Sequence, residues 1–512
     1  MTGRRASGQA GSEPVRWLFG DQLGPHFLDS DDQRVLLIES RKVFARRRFH
    51  RQKAHLVLSA MRHRAAELGD RCEYRTAATY SEVLRDRPAG AELTVCHPTS
   101  YAARDLVERT PGVRLLPARG FATSMAEFTE WANARGARRL LMEGHYRLAR
   151  RRLDVLMDGD EPVGGQWNYD QANRLPPPKA TRGGPPVTGV GVPAPWWPEE
   201  DEIDDEVRRD LDRWAADGDV GFIGVDAPRR FPATRSEALA AFQHFVDHRL
   251  TAFGPYEDAM LAGDPWLAHS LMSSSLNLGL LDPLELVRRV ETACRHDDLP
   301  ISSVEGFVRQ LIGWRDYIWN LYWHLGPDYR FRNGLHADRD IPAWFADLDA
   351  DAVEANCLSS ILGDLRDHGW VHHIPRLMVL GNHAMQRGWN PLQVTDWFHR
   401  AFVDGYDWVM VPNVVGMSQH ADGGLITTKP YAGGGAYIDR MSDYCGGCRY
   451  RPSVRVGDDA CPFTAGYWWF LNRHRGTFAG NHRMAQPLRG LDRLKDLAAL
   501  VEQEDARGSA AP

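Results

Sequence analysis

No stretch of this sequence is apolar for the roughly 18 consecutive residues that a bilayer-spanning helix requires. The opening residues, MTGRRASGQAGSEP, carry no apolar core of a secretory signal, and the expectation is a soluble cytoplasmic protein with no membrane partner. Excess charge of one sign is also lacking. The chain has 62 Lys and Arg against 68 Asp and Glu, a net charge of −6, so overall charge gives no reason to bind nucleic acid and only a local basic face could do so. Seven cysteines, an odd number in a chain without an export signal, argue against a disulfide framework and for metal or thiol chemistry. No internal repeat is found. After the first predicted strand the turn is Gly20-Asp21-Gln22-Leu23-Gly24 rather than G-x-G-x-x-G, which does not indicate a dinucleotide site.

What is present is ordinary globular material, with 43% hydrophobic and 25% charged residues. A length of 512 residues suits about three domains or one two-lobed enzyme. From 15 to 140, the β-rich runs RWLF, VLLI and LTVC alternate with helical patterns such as HLVLSAMRHRAAEL at 55–68, which predicts an α/β domain on a parallel, Rossmann-like sheet. Residues 141–234 read as inter-domain helices and linker. Eight of the 31 prolines fall within 175–198, a composition that can form neither a packed helix nor a central strand. The acidic stretch Glu199 to Asp212 reads as a solvated helix. From 235 to 440 helical periodicity dominates, and 441–502 forms a cysteine-bearing extension of an all-helical lobe. The tails, 1–14 and 503–512, read as disordered.

Four cysteines have ligating spacing. Cys445-Gly446-Gly447-Cys448 is a C-x2-C turn, Cys461 precedes a proline, and Cys357 stands far upstream, so a shared metal site would staple the helical lobe to its extension. Spacing alone leaves zinc and an iron–sulfur cluster open. Cys72, Cys96 and Cys294 read as core thiols. His372 and His373 are adjacent imidazoles suited to proton transfer near neutral pH, although such pairs are more often partly exposed polar residues. Arg376 and Asp404 can pair across two helices and fix a charge beside a ligand. The run His269 to Ser275 offers hydroxyls and free N–H groups that can hold phosphates, or simply a helix cap. The basic runs Arg41 to Lys53 and Arg147 to Arg152 could meet phosphates but more commonly mark a solvated face. Asp21, Gln22 and Glu39 lie at predicted strand ends, where α/β sheets tend to bind ligands.

These segments together resemble the cryptochrome/photolyase superfamily, specifically its prokaryotic iron–sulfur branch of bacterial (6-4) photolyases and related cryptochromes. The resemblance rests on GDQL at 20–23, VGGQWNYDQANR at 163–174, HSLMSSSLNLGLLD at 269–282 and EGFVRQLIGWRDY at 305–317. It continues in HHIPRLM at 372–378, PNVVGMSQHADGG at 412–424, TKPYA at 428–432 and RMSDYCGGCRY at 440–450. It implies an antenna lobe and a helical lobe holding FAD, with the four cysteines on a 4Fe–4S cluster. Tyr256, Ser270, Leu271, Ser273, Gln310, Arg315, His373, Arg376, Asp404 and Tyr406 would contact FAD, and Trp397 would relay electrons to it. The lumazine antenna, 6,7-dimethyl-8-ribityllumazine, would lie near Gly20, Asp21, Gln22 and Glu39. His372 and His373 would act on a (6-4) photoproduct flipped out of UV-damaged DNA, with Met417 and Tyr431 as pocket walls, in a monomeric enzyme.

Three positions depart from the family pattern. Ala346 stands where relatives carry a second relay tryptophan, with Trp344 close by; Met410 replaces a carboxylate near the flavin; Val43 replaces an acidic residue in the antenna lobe. Two other functions fit the same sequence, a photoreceptor that signals without repair and a zinc-stabilised DNA-binding protein.

Overall fold

The structure, a computed structural model, describes residues 14–88, 92–136, 139–179, 187–296 and 299–512. Five strands form one all-parallel sheet: β1 (Val15–Leu18), β2 (Val35–Ser40), β3 (Cys72–Ala77), β4 (Leu93–Cys96) and β5 (Val113–Leu116). Their order is β3-β2-β1-β4-β5. All six residues of β2 are buried, as expected of a parallel strand covered on both faces. The chain runs to opposite sides of β1, so the loop at 20–23 leaves β1 at the switch point where such sheets open a crevice.

Helix α1 (Arg51–Leu68) begins four residues before the predicted helical run. His50 caps it, its Nδ1 accepting from the Gln52 backbone N–H at 3.2 Å. Arg51 and Lys53 are buried, so this end of the basic run is an internal contact rather than a solvated face. The acidic segment does form a helix, α2 (Glu202–Ala216), but Val207, Leu211 and Trp214 on one face are buried in a cluster with residues of α1. Asp204 is buried as well and accepts two bonds from Arg229, so the solvated-helix expectation holds for the opposite face only.

Beyond residue 235 no described residue belongs to a strand longer than an isolated bridge, and the lobe is helical throughout. Its site-bearing helices are α3 (Ser273–Asn277), α4 (Asn356–His368), α5 (Pro391–Ala401), α6 (Pro462–Arg473) and α7 (Leu497–Arg507). Three π-helical segments, Arg309–Arg315, Pro375–Gly381 and Asn413–Ser418, overlap three of the motif segments. Such insertions re-aim side chains by one residue and are frequent at functional sites. Gly381 is what lets two of them meet, because a Cβ there would lie 2.1 Å from Ser418 Oγ and 2.9 Å from the Arg376 carbonyl.

Part of the proline-rich segment, 180–186, lies outside the described residues, as do 1–13 of the N-terminal tail. The part from 187 packs against the helical lobe, with Trp197 edge-on to Trp266 at 5.0 Å and the Ala194 carbonyl bound by His244 at 2.9 Å. The C-terminal tail is not disordered. Helix α7 runs to Arg507, and the Pro512 carbonyl accepts from the N–H groups of Glu354 and Ala355 at 2.8 and 3.0 Å. No helix of the described residues is long and apolar enough to cross a membrane.

Candidate functional site

The helical lobe is organised around a buried ion pair. Arg376, the second residue of a π-segment opened by Pro375, forms a two-pronged contact with Asp404, Nη1 to Oδ1 at 2.8 Å and Nη2 to Oδ2 at 3.0 Å. Asp404 sits in the turn after α5. Ser273 Oγ donates to Asp404 Oδ2 at 2.7 Å, and Asn277 Nδ2 donates to the Asp404 carbonyl at 3.0 Å, so α3 is tied to the same carboxylate. Burial pushes the Asp404 pKa up, but the Arg376 charge, the hydrogen bonds and Lys53 outweigh it, and the carboxyl stays below its usual range. Gly405 is required next door, since a Cβ there would lie 2.6 Å from the His399 carbonyl and 2.7 Å from that of Phe398.

Lys53 reaches this turn from the other lobe. Its Nζ donates to the carbonyls of His399, at 2.6 Å, and of Gly405, and lies between the rings of Phe49 and Tyr406 at 5.0 and 5.2 Å. Burial pulls its pKa down to about 7 against the attraction of Asp404. Sequence reading missed this lysine because a basic run gives no sign of which members face inward. Tyr406 begins the next helix, and burial holds its phenol well above its ordinary pKa.

The loop before α3 and the first turn of that helix carry polar groups without protein partners. Leu271 has φ +59°, a left-handed conformation uncommon for a branched residue and found at ligand clamps. The hydroxyls of Ser274 and Ser275 and Nε2 of His269 are buried and unpartnered, while Ser270 Oγ accepts from Met272 N–H at 3.4 Å. Two of the predicted FAD contacts have protein partners. Gln310 donates to Glu257, whose carboxyl burial pushes up to about 7. Arg315 spans the lobes, donating to the carbonyls of Gly120 at 2.8 Å and Leu276 at 3.1 Å and covering the Phe121 ring at 4.4 Å. Tyr256 packs in a small cluster with Ala259, Leu261 and Leu267.

Three histidines meet beside this centre. His372 is buried and stacks on His269, ring centroids 4.3 Å apart and 24° from parallel, whereas His373 is half exposed with Nε2 3.5 Å from Asp258 Oδ1. Ring nitrogens of all three come within 4.8 Å of one another. Burial, reinforced by the neighbouring histidines and arginines, holds His269 and His372 well below the usual imidazole range, so both rings are neutral. Tyr431 is exposed at the surface and feels the charges of Arg174, Asp170 and Asp258, which places it on the His373 side. Met417 lies in the π-segment at 413–418, one residue before the Ser418 that packs on Gly381.

Trp397 on α5 is fully buried and its indole N–H donates to the Phe345 carbonyl at 3.1 Å. Phe345 lies between it and Trp389, with centroid separations of 4.3 and 4.7 Å, and Trp344 stands 6.0 Å from Trp389. Ala346 leaves no aromatic ring at its own position, but Trp344 and Trp389 occupy the same neighbourhood.

The four predicted ligand cysteines do converge. Cys357 at the start of α4, Cys445 and Cys448 in the turn at 444–447, and Cys461 capping α6 line one small apolar cavity with Ile438 and Phe463. Burial and the other thiols push Cys357 well above its ordinary pKa, and burial takes Cys445 up to about 12. Among the described residues only two groups of three bring ligand atoms within 4.8 Å, and neither contains a cysteine. One tetrahedral zinc with Zn–S bonds of about 2.3 Å needs sulfurs about 3.8 Å apart, and no three of these thiols stand at that mutual spacing. The second group, His63, Asp201 and Asp204, is already spent on helix capping and on Arg229.

At the switch point Asp21 accepts from Thr99, and its other oxygen is buried and unpartnered; burial raises its pKa to about 6. Gln22 donates to the Cys96 carbonyl at 3.0 Å and keeps a free Oε1. Gly20 lies against Met61 on α1. Glu39 differs, since Arg62, at 3.0 and 3.1 Å, and Tyr74 occupy both of its oxygens.

Comparison with known proteins is consistent with this geometry. The family described as "Deoxyribodipyrimidine photo-lyase-related protein" matches residues 16–220. A solved structure described as a bacterial class III photolyase from Agrobacterium tumefaciens aligns with a TM-score of 0.56 at 15% identity, covering 93% of this chain and 99% of that one, a likeness of fold. The (6-4) photolyase of Agrobacterium fabrum (strain C58 / ATCC 33970) is 39% identical over 493 residues, 92% of this chain and 94% of the relative. By that identity, sustained across both lobes, the chain belongs to the photolyase family.

Proposed function

We propose that the protein is a light-driven DNA repair enzyme acting on pyrimidine (6-4) photoproducts. The carrying observation is the Arg376–Asp404 pair, tied to Ser273 and set beside the three histidines, in a chain 39% identical to a (6-4) photolyase. The residues fit FAD. Ser270, the strained Leu271 backbone, Ser273 and the unpartnered hydroxyls of Ser274 and Ser275 suit its phosphates, and the Arg376–Asp404 pair suits its ring edge. Reduced FAD, when bound and excited by blue or near-UV light, supplies the electron that the lesion accepts.

The chain's own residues then do three things. They pack closely behind the pocket, where Gly381 lets two π-segments meet. They hold the lesion, once flipped from the duplex at a cost lower than for an intact base, against His372 and the Tyr431 and Met417 walls. They move a proton, and here the two histidines divide the work. His372 is neutral and enclosed, so it hydrogen-bonds; His373, half exposed beside Asp258, delivers the proton that accompanies hydroxyl return.

The spacing of the four thiols around an apolar cavity supports a 4Fe–4S cluster over a single zinc. The unpartnered oxygens of Asp21 and Gln22 support a small polar antenna pigment such as the lumazine at the switch point, with Glu39 ordering the lobe rather than touching the pigment. Illumination of the reduced protein with an oligonucleotide bearing one (6-4) lesion tests the function. Restoration of the two pyrimidines is expected, and an unchanged lesion after prolonged light would leave a photoreceptor instead.

A further inference from the structure

Helix α7 ends at Gly508, and residues 509–512 turn back from it as a strap. The helix itself is fixed. Arg387 pairs with Glu504, both side chains fully buried, and the Trp469 indole N–H donates to Asp505 at 3.0 Å. Gly508 then makes the turn with φ +54° and ψ −119°, a combination that glycine adopts readily and residues with a Cβ do not. Beyond it the strap is anchored at both ends. The Ser509 carbonyl accepts from the Trp344 indole N–H at 2.9 Å, and the Pro512 carbonyl accepts from the backbone N–H groups of Glu354 and Ala355 at 2.8 and 3.0 Å. Pro512 is buried, and Ala511 packs on the hydrophobic cluster that contains Phe345, Cys357 and Trp397.

The two anchors belong to different places in the molecule. Ala355 lines the cysteine cavity and stands just before the ligand-bearing start of α4. Tyr450 lines that cavity too; its hydroxyl donates to Glu354 at 3.3 Å, and the Arg507 guanidinium lies over its ring at 5.9 Å. The strap, Glu354 and Tyr450 therefore back the Cys357 side of the cavity. Trp344 belongs instead to the aromatic group that runs through Trp389 and Phe345 to Trp397, and it is the partly exposed tryptophan of that group, the other two being fully buried. One short strap thus covers both the cysteine site and the outer ring of the aromatic group. Backbone hydrogen bonds of this kind are individually modest, and a segment held by them can open locally while the helix that carries it stays folded.

We propose that residues 508–512 are a latch with two doors. Closed, it seals the Cys357 side of the cysteine site and covers Trp344; open, it admits small reagents such as chelators, oxidants and thiol reductants to both. Metal exchange at the cysteines and chemical access to Trp344 then rise and fall together. This rests on the four cysteines being the cluster site and goes beyond it by coupling that site to a tryptophan outside it.

The test uses protein with its iron loaded, in wild type, Gly508→Val and a variant lacking residues 509–512. A Cβ at Gly508 meets nothing closer than the Asp505 carbonyl at 3.9 Å, so Gly508→Val acts through backbone conformation and leaves the packing of α7 alone. Amide exchange at Glu354 and Ala355 reports whether the latch is open. Iron release to an external chelator reports the first door, and hydroxyl-radical oxidation of Trp344, read by peptide mass against Trp131 of the α/β lobe, reports the second. Both variants are expected to speed all three by about fivefold or more, as local opening requires, with Trp131 oxidation and flavin content at wild-type values. Faster amide exchange with wild-type iron release or wild-type Trp344 oxidation overturns the latch. A matching rise at Trp131 marks general loosening and overturns it as well. Should Gly508→Val leave amide exchange unchanged, the shortened variant decides, and wild-type iron release and Trp344 oxidation in that variant overturn the proposal. A wild type that binds no iron overturns the cluster assignment, and this inference with it.

Discussion

The guanidinium of Arg376 lies across the carboxylate of Asp404 with two bonds of 2.8 and 3.0 Å, and its carbon stands 4.1 Å from the centre of the Phe402 ring. Both charges are largely buried, so neither can be removed cheaply. Truncating one partner of such a pair leaves the other charge unpaired and typically costs about 3–5 kcal/mol. Asp404→Ala is therefore expected to lower the urea midpoint substantially and to release flavin. The pair also sets an acid limb. Because the Asp404 pKa lies lower in the folded than in the unfolded protein, its stabilisation is present above the unfolded carboxylate value and is lost as pH falls through the folded one. A urea midpoint series below pH 5 should lose this component in Asp404→Asn.

Lys53 gives a different pH signature. Its folded pKa is pulled down to about 7, below the roughly 10.4 of an unfolded lysine, so across that interval the unfolded chain holds more protons and stability rises with pH. Lys53→Met should flatten the rise between pH 7 and 9 in urea midpoints. It also strips donors from the His399 and Gly405 carbonyls, an expected cost of about 1–3 kcal/mol at pH 9, where the wild-type amine is largely neutral. An identical pH slope in both proteins would show that Lys53 does not titrate in this range.

The sequence made the strands and the cysteine set legible because their signals are local. An unbroken apolar run such as VLLI suits a strand covered on both faces, and C-x2-C brings two thiols to one side of a turn. What it hid follows from register and burial. The three π-segments displace side chains by one position, which a 3.6-residue period cannot register, so the protein partners of Gln310 and Arg315, which are Glu257 for the first and the Gly120 and Leu276 carbonyls for the second, are seen only in the fold. Lys53 and His269 look like members of a basic run and a serine-rich cap. Only tertiary packing shows that they face inward, one across the lobe boundary and one under His372.

The cysteine cavity joins α4 to α6 and to the turn at 444–447, segments far apart in the chain. Ligation that closes such loops is coupled to folding. Cys357→Ser should lose iron and the visible cluster absorption, and should expose the stretch from about 440 to 473 to limited proteolysis before the α/β lobe. Retained iron with unchanged protease resistance would mean that Cys357 is a core thiol after all.

Electron supply to the pocket can be separated from repair through Trp397. Its indole is the buried ring that the resemblance assigns to the relay, and its neighbour Phe345 is far harder to oxidise than a tryptophan. Trp389 and Trp344 stand beyond Phe345, so the path from Trp397 must pass a phenyl ring or jump it. Trp397→Phe removes one hydrogen bond, to the Phe345 carbonyl, a cost of about 1 kcal/mol that the fold should survive. The variant is expected to retain flavin but to lose most light-driven reduction of oxidised flavin by an external thiol, while repair by chemically reduced protein continues. Trp389→Phe and Trp344→Phe then locate the exit. The variant that slows photoreduction marks the ring that takes the hole from Trp397. Wild-type rates in both would mean that Trp397 is the terminal donor, and that Ala346 marks a genuine end of the chain's relay rather than a detour around it.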